Sequence, residues 1–164
     1  IFPKKLLKSV KCINIHPGYN PINRGWYPHI FAIINDLPVG ATIHEIDEKI
    51  DNGRIIDRVI VKKYDSDTSK DLYKRIKLAE IKLLKNNLDS ILKNSYKTIL
   101  PELKGNLFYK KDFLEICELD LNKKMRLKDA LKILRALTHG DYNNAYYFNE
   151  EGKKFYVKIK ISKE

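Results

Sequence analysis

The chain has 164 residues, 43% of them hydrophobic and 32% charged, with a formal net charge of +11. That length fits one domain, or one domain with a small appendage, and no apolar run approaches the ~18 residues that would read as a membrane span. The lysines are scattered and the longest basic block is "NKKMRLK" at 122–128, so the charge reads as compositional bias with a secondary attraction for polyanionic small molecules.

Taken in chain order, "PKKLLKSV" (3–10) suits a short helix with Pro3 in its first turn. Cys12 then opens the apolar stretch "KCINI" (11–15), which suits a buried parallel strand. The loop "NIHPGYNPINRGW" (14–26) is too aromatic, and too stiff at its prolines, for a plain linker; long loops of that kind are functional. A helix is expected from Pro28 to about residue 36, and an extended β-branched segment over 39–47. A turn with its tip at Asn52-Gly53 leads to a second such strand over 54–64. From Asp67 onward, Leu72, Ile76, Ala79, Leu83, Leu88 and Ile91 recur at helical spacing, with Asp67, Thr68 or Ser69 as the cap, giving a long helix packed across a sheet. Pro101 and Gly105 mark a boundary. Beyond it come a helix at about 126–138, stopped by Gly140, and a hairpin made of "NAYYF" and "KFYVKIKI". The order is that of an incomplete α/β layer, and the expected division is 1–100 and 101–164. Cys12 and Cys117 lie far apart among apolar neighbours, which fits free thiols in a reducing cytoplasm; neither their spacing nor any His/Cys cluster suggests a metal site.

Chemistry concentrates near Asn14 and His16. Residues i and i+2 of a strand project to the same side, so the amide and the imidazole emerge together. Asp47 and Asp51, in the turn after strand 39–47, are the obvious carboxylates to orient that imidazole, brought to the same edge by a parallel neighbour strand. The pair can equally serve only to cap the strand.

The segment from Asn14 to Ile56 carries N-x-H-P, a loop ending in R-G, then T-x-H and D-x-x-x-D-x-G, in order. In this it resembles the folate-dependent formyltransferases, which include the glycinamide ribonucleotide and methionyl-tRNA enzymes. The loop wording H-P-G-x-N-P-x-N-R-G-W is similar to that of the dTDP-amino-dideoxysugar N-formyltransferases, and "RALTHGDYNNAYYF" resembles the end of that group. The resemblance implies a partial Rossmann-like sheet with a long packing helix, followed by a small C-terminal subdomain of one helix and a hairpin. It implies transfer of a formyl group from N10-formyltetrahydrofolate to the amine of a nucleotide-linked aminosugar, without a metal, in a cytoplasmic enzyme of lipopolysaccharide or O-antigen biosynthesis.

It also assigns residues. Asn14, His16 and Asp51 become the catalytic trio. Asn23, Arg24, Gly25, Trp26 and Tyr27 become the wall for sugar and pyrophosphate, and Tyr142 stacks on the base. His44 and Asp47 fall on the folate side. Arg24 suits phosphate oxygens as well as a structural ion pair, Trp26 suits stacking as well as anchoring, and His44 suits a satisfied structural role. A homodimer through the C-terminal subdomain is expected, with no membrane and no nucleic-acid partner. The family carries an N-terminal half-Rossmann region ahead of the N-x-H strand, and this chain opens "IFPKK" without it. The expectation is therefore a fragment or truncated product that is inactive alone. The rival readings are a methionyl-tRNA formyltransferase and a basic RNA-binding protein without catalysis. The short tail stands against the first, and the complete N/H/D pattern stands against the second.

Overall fold

A computed structural model describes residues 2–101 and 105–162. A short helix α1 (Lys4–Ser9), preceded by Pro3, leads into strand β1 (Ile13–His16). The chain then crosses the aromatic loop, within which lies the two-residue strand β2 (Arg24–Gly25), and enters helix α2 (Pro28–Ile34) with Pro28 in its first turn. Strands β3 (Gly40–Glu45) and β4 (Ile55–Ile60) follow, and then the long helix α3 (Ser69–Leu92).

The sheet has the order β1-β3-β4, and both pairings are antiparallel. This corrects the parallel partner expected for the first strand. The cause is the connection: seven residues of α2 rise only ~10 Å, too short to carry the chain back down the sheet. It re-enters beside the end it left, with His16 facing Thr42. As a result β3 finishes beside the start of β1, and loop 46–53 must fold back over the sheet face to reach Asn14 and His16. A register shift between Ile43 and His44 interrupts the β3–β4 ladder next to that loop, and bulges of this kind re-aim side chains.

Helix α3 has the expected length and packs its Leu83 and Ala79 against Ala41 and Ile43 of β3. Its cap is Thr68, whose N–H and hydroxyl both donate to the Asp71 carboxylate. Of the other two capping candidates, Asp67 accepts from the Tyr64 N–H, and Ser69 donates to the Thr138 carbonyl. A second core joins α2 to α3 through Ile30, Ile33, Val39, Leu72 and Ile76, closed by Ala136.

That alanine belongs to helix α5 (Leu127–Leu137), one of several C-terminal elements. Strand β5 (Leu107–Phe108) pairs parallel with β2, helix α4 (Lys110–Cys117) follows, and both precede α5. Neither β5 nor α4 stands out in the sequence, because two residues and two turns carry almost no periodic signal. Helix α5 ends at Leu137, before Gly140. That glycine, at φ +58, instead turns the chain between strands β6 (Thr138–His139) and β7 (Tyr142–Asn143). Strands β8 (Ala145–Phe148) and β9 (Lys154–Val157) form the expected hairpin. Cys117, Leu137 and Ala145 make its small core, and both cysteines are free thiols.

Candidate active site

Asn14, His16 and Asp51 meet beneath the folded-back loop. The Asp51 backbone is left-handed at φ 45, one residue before the Asn52-Gly53 tip expected for this turn. Its carbonyl accepts from the buried Asn20 amide at 3.0 Å. One carboxylate oxygen accepts from the Gly25 N–H at 2.9 Å, the other from the Asn14 amide at 3.2 Å. The His16 ring lies 3.5 Å away through Nδ1, and the His44 ring 3.5 Å away through Nε2. Burial alone would raise the Asp51 carboxyl. His44 and His16 in their charged forms, with the Gly25 N–H, overcome that and hold it at about 2, so it is ionised at neutral pH.

Hydrogen-bond partners fix both tautomers. His16 Nε2 lies 2.6 Å from the Asn23 carbonyl, which can only accept, so Nε2 carries the hydrogen and Nδ1 presents a lone pair beside Asp51. Burial keeps the His16 pKa below its ordinary value despite the nearby carboxylate. The resting state is thus a neutral imidazole whose free nitrogen faces a negative charge, an arrangement that gains an ion pair when that nitrogen takes a proton. His44 donates from Nδ1 to the Glu45 carbonyl at 2.7 Å, which leaves Nε2 to accept from Asn14 at 3.3 Å. Both amide hydrogens of Asn14 are therefore engaged, one by His44 and one by Asp51.

Two glycines permit this closeness. A Cβ on Gly18 would sit 2.5 Å from both His16 Nε2 and the Asn23 carbonyl. Gly25, at φ +88, would press a Cβ to 2.1 Å from the Phe108 carbonyl while its N–H holds Asp51. Thr42 completes the frame, donating to the Gly18 carbonyl and accepting from the Asn20 N–H.

Three cavities adjoin the cluster. One of about 510 Å³ opens on the His16 side and is walled by Trp26, Tyr27, His29, Tyr73, Phe113 and Tyr142, with His139 beside them. One of about 210 Å³ lies on the Asn14 and His44 side, bounded also by Phe2, Ile46, Ile50 and Asp51. One of about 750 Å³ runs past Arg24, Lys49 and Asp51 to Leu100 and Tyr109.

The other expected residues divide. Gly25, Trp26, Tyr27 and Tyr142 line the cavity on the His16 side, and Tyr142 is 70% exposed there. Asn23 does not: it is fully buried, its side chain accepts from the Tyr19 N–H, and it reaches His16 through its carbonyl. Arg24 donates to the Asn52 side chain on the far side of the loop, away from the sugar wall expected of it. Asp47 organises its own loop, accepting from the Lys49 N–H and the Asn52 amide, while borders of the smaller cavity include it and His44. Sequence reasoning missed His29, Tyr73, Phe113 and His139. Each sits inside a helix or short-strand segment where nothing in the local pattern separates a cavity wall from a core position.

Residues 1–88 match the formyl transferase family, and residues 112–163 match the N-formyltransferase dimerization C-terminal domain. The chain belongs to the formyl transferase family. It is 41% identical over 163 residues to the dTDP-4-amino-4,6-dideoxyglucose formyltransferase of Mycobacterium tuberculosis, a match that covers 99% of this chain and 70% of that protein. A 4-N formyltransferase structure from Francisella tularensis superposes with a TM-score of 0.97 at 44% identity, covering all of this chain and 68% of that one. A formyltransferase from Anoxybacillus kamchatkensis, solved with UDP-4,6-dideoxy-4-formamido-L-AltNAc and tetrahydrofolate, aligns at 33% identity and a TM-score of 0.60 over 63% of this chain and 55% of its own. Among the described residues of this formyltransferase, no group of His, Cys, Asp and Glu could hold a metal ion, and no helix is long and apolar enough to cross a membrane.

Proposed function

We propose that this formyltransferase moves a formyl group from N10-formyltetrahydrofolate to the primary amine of a dTDP-linked 4-amino-4,6-dideoxyhexose. The observation that carries the reading is the position of Asp51 and its partners between two cavities, one reached through His16 and the other through Asn14 and His44. A two-substrate transfer needs that arrangement, since donor and acceptor must approach one proton-handling centre from different sides. The relatives supply the substrate class. The Mycobacterium tuberculosis protein is named for a dTDP-4-amino sugar, and the Anoxybacillus protein holds a 4-formamido sugar nucleotide with tetrahydrofolate. Neither rival, tRNA formylation or RNA binding, has comparable support.

On this reading the folate supplies an electrophilic formyl carbon. The cavity beside Asn14 fits its donor end, with Phe2, Ile46 and Ile50 as an apolar wall for a planar ring and Lys49 as a cation at the margin. The acceptor lies in the aromatic cavity with its amine toward His16. His16 Nδ1 takes the proton that the amine sheds as the new C–N bond forms, and ionised Asp51 stabilises the resulting imidazolium. Asn14 donates to the formyl oxygen as that oxygen gains charge, exchanging its bond to His44 for the new one. Tyr142 stacks on the base, and the C-terminal part from about residue 101 forms a homodimer through the aromatic hairpin. The free thiols of Cys12 and Cys117 suit a cytoplasmic enzyme, and a formamido sugar of this type suits lipopolysaccharide or O-antigen assembly.

Incubating the chain, joined to the N-terminal half-Rossmann region that the family carries, with N10-formyltetrahydrofolate and dTDP- and UDP-linked 3-amino and 4-amino sugars, and detecting the formamide by mass spectrometry, tests the proposal. Product from the dTDP-4-amino sugar is expected. Formylation of methionyl-tRNA with no sugar product would replace it.

A further inference from the structure

We propose that His29 is a specificity residue of the acceptor cavity, hydrogen-bonding an uncharged hydroxyl of the hexose in preference to its phosphate or amine. The inference rests on the acceptor assignment above. Pro28 starts helix α2 and the following turn sends Ile30, Phe31 and Ile33 into the core, leaving His29 at the cavity side with only 4% of its surface exposed. Its neighbours are rings: Tyr73 of α3 with centroids 4.9 Å apart, His139 of β6 at 5.6 Å and Tyr27 at 6.3 Å. Among the described residues none hydrogen-bonds its imidazole, and Nδ1 is buried without a partner. That sealed nitrogen cannot meet a ligand; Nε2, which no hydrogen bond engages and which is not sealed, is the nitrogen left to the cavity.

Among the described residues no hydrogen bond joins His139 to His29. The Ser69 hydroxyl donates to the Thr138 carbonyl at 2.9 Å, so His139 Nδ1, 3.0 Å from that oxygen, must be the donor there. His139 is thereby locked in place as a wall, with its ring 5.8 Å from that of Tyr142.

The chemistry of the missing partner follows from charge. Burial, helped by the nearby His139, presses the His29 pKa to about 3, so the ring is neutral at physiological pH. A bare sealed nitrogen is better tolerated than a sealed N–H, which places the hydrogen on Nε2 and makes His29 a neutral donor. A phosphate is better served by free ammonium groups near the cavity's lining, such as Lys110, 5.7 Å from the Trp26 ring. The amine belongs with His16. The remaining polar groups of an aminohexose are its hydroxyls.

The test uses full-chain His29→Phe and His29→Gln with two acceptors that differ by one ring hydroxyl, read as kcat/KM and as calorimetric Kd. The unsubstituted protein should favour the hydroxylated acceptor roughly 10- to 100-fold. His29→Phe should collapse that ratio to near one, and His29→Gln should restore part of it. Because an aromatic ring replaces an orphaned polar one of similar shape, the Tm of His29→Phe at pH 7.5 should equal or exceed that of the parent. A ratio that His29→Phe leaves unchanged overturns the assignment. So does a collapse accompanied by the same fall in Tm in both variants, which marks a packing role. Absence of formylated product with the Kd ratio intact would overturn the formyl-transfer reading and support His29.

Discussion

The cluster around Asp51 and the hairpin of β8 and β9 contrast in how they are held. Around Asp51, four protein groups converge on one carboxylate within 3.5 Å, and both hydrogens of Asn14, both nitrogens of His44 and Nε2 of His16 are engaged. The hairpin rests instead on ring contacts, Tyr147 stacked on Phe155 at 5.5 Å and Tyr146 edge-on to Tyr156 at 6.2 Å, while Phe148, Phe155 and Tyr156 remain exposed. A two-stranded hairpin gains little by itself in water, and its apolar face invites a second surface. The contacts of the first region lie within one chain; the second leaves an apolar face exposed, which the homodimer proposed above would cover.

Disabling the proton-handling groups of the first region should have the largest effect. Asp51→Asn or His16→Gln should lower kcat about 10³-fold, the range of a lost general base, with KM for the sugar nucleotide changed far less. Steady-state kinetics on the two variants checks this, and near-normal turnover in either would show that the cluster is structural. The same charges set the acid response. Asp51, with its folded pKa depressed to about 2, contributes stability that is present above about pH 4 and is lost as pH falls toward 2. His16 and His29 are depressed below 6.5 by burial, so the unfolded chain takes up protons first and stability falls as pH drops below that value. For His29, whose pKa is about 3, the slope is roughly 1.4 kcal/mol per pH unit between pH 6 and 4. Denaturant titrations at those pH values should find a shallower slope in His29→Phe.

Charging the second region should break assembly before chemistry. Phe155→Asp, on an exposed strand position, should shift the full chain from dimer to monomer by about 100-fold in dissociation constant, as sedimentation equilibrium would detect. A dimer that survives this substitution and Tyr156→Asp together would place the interface elsewhere. Tyr142→Ala sharpens the boundary between the two regions, because Tyr142 stands at the cavity and not in the hairpin. Nucleotide affinity should weaken about 10-fold on loss of the stacking face while the dimer persists. The smallest effect is that of salt. A ligand with one pyrophosphate should lose only a few-fold in affinity between 50 and 200 mM salt, against roughly 10³-fold for a protein gripping many phosphates.

The sequence by itself specified the helices with long periodic faces and the identity of the reacting groups. Leu72, Ile76 and Leu83 placed α3, because periodic spacing is a local property; the N-x-H spacing singled out Asn14 and His16 with Asp47 or Asp51 as the carboxylate, and the resemblance to the formyltransferases chose Asp51. Strand direction was not local. It depended on α2 being too short to return the chain to the foot of β1, and the antiparallel result decided that loop 46–53 folds over the sheet face and not off its edge. Asn23 illustrates the same limit, since only the packed loop turned its side chain inward and its carbonyl onto His16. Gly140 passed from helix stop to hairpin turn because Thr138 and His139 found a strand partner in Tyr142 and Asn143. His29 and His139 stand 110 positions apart, and no local pattern joins them; their meeting beside Tyr73 at the cavity was settled by α2, α3 and β6 packing on one another.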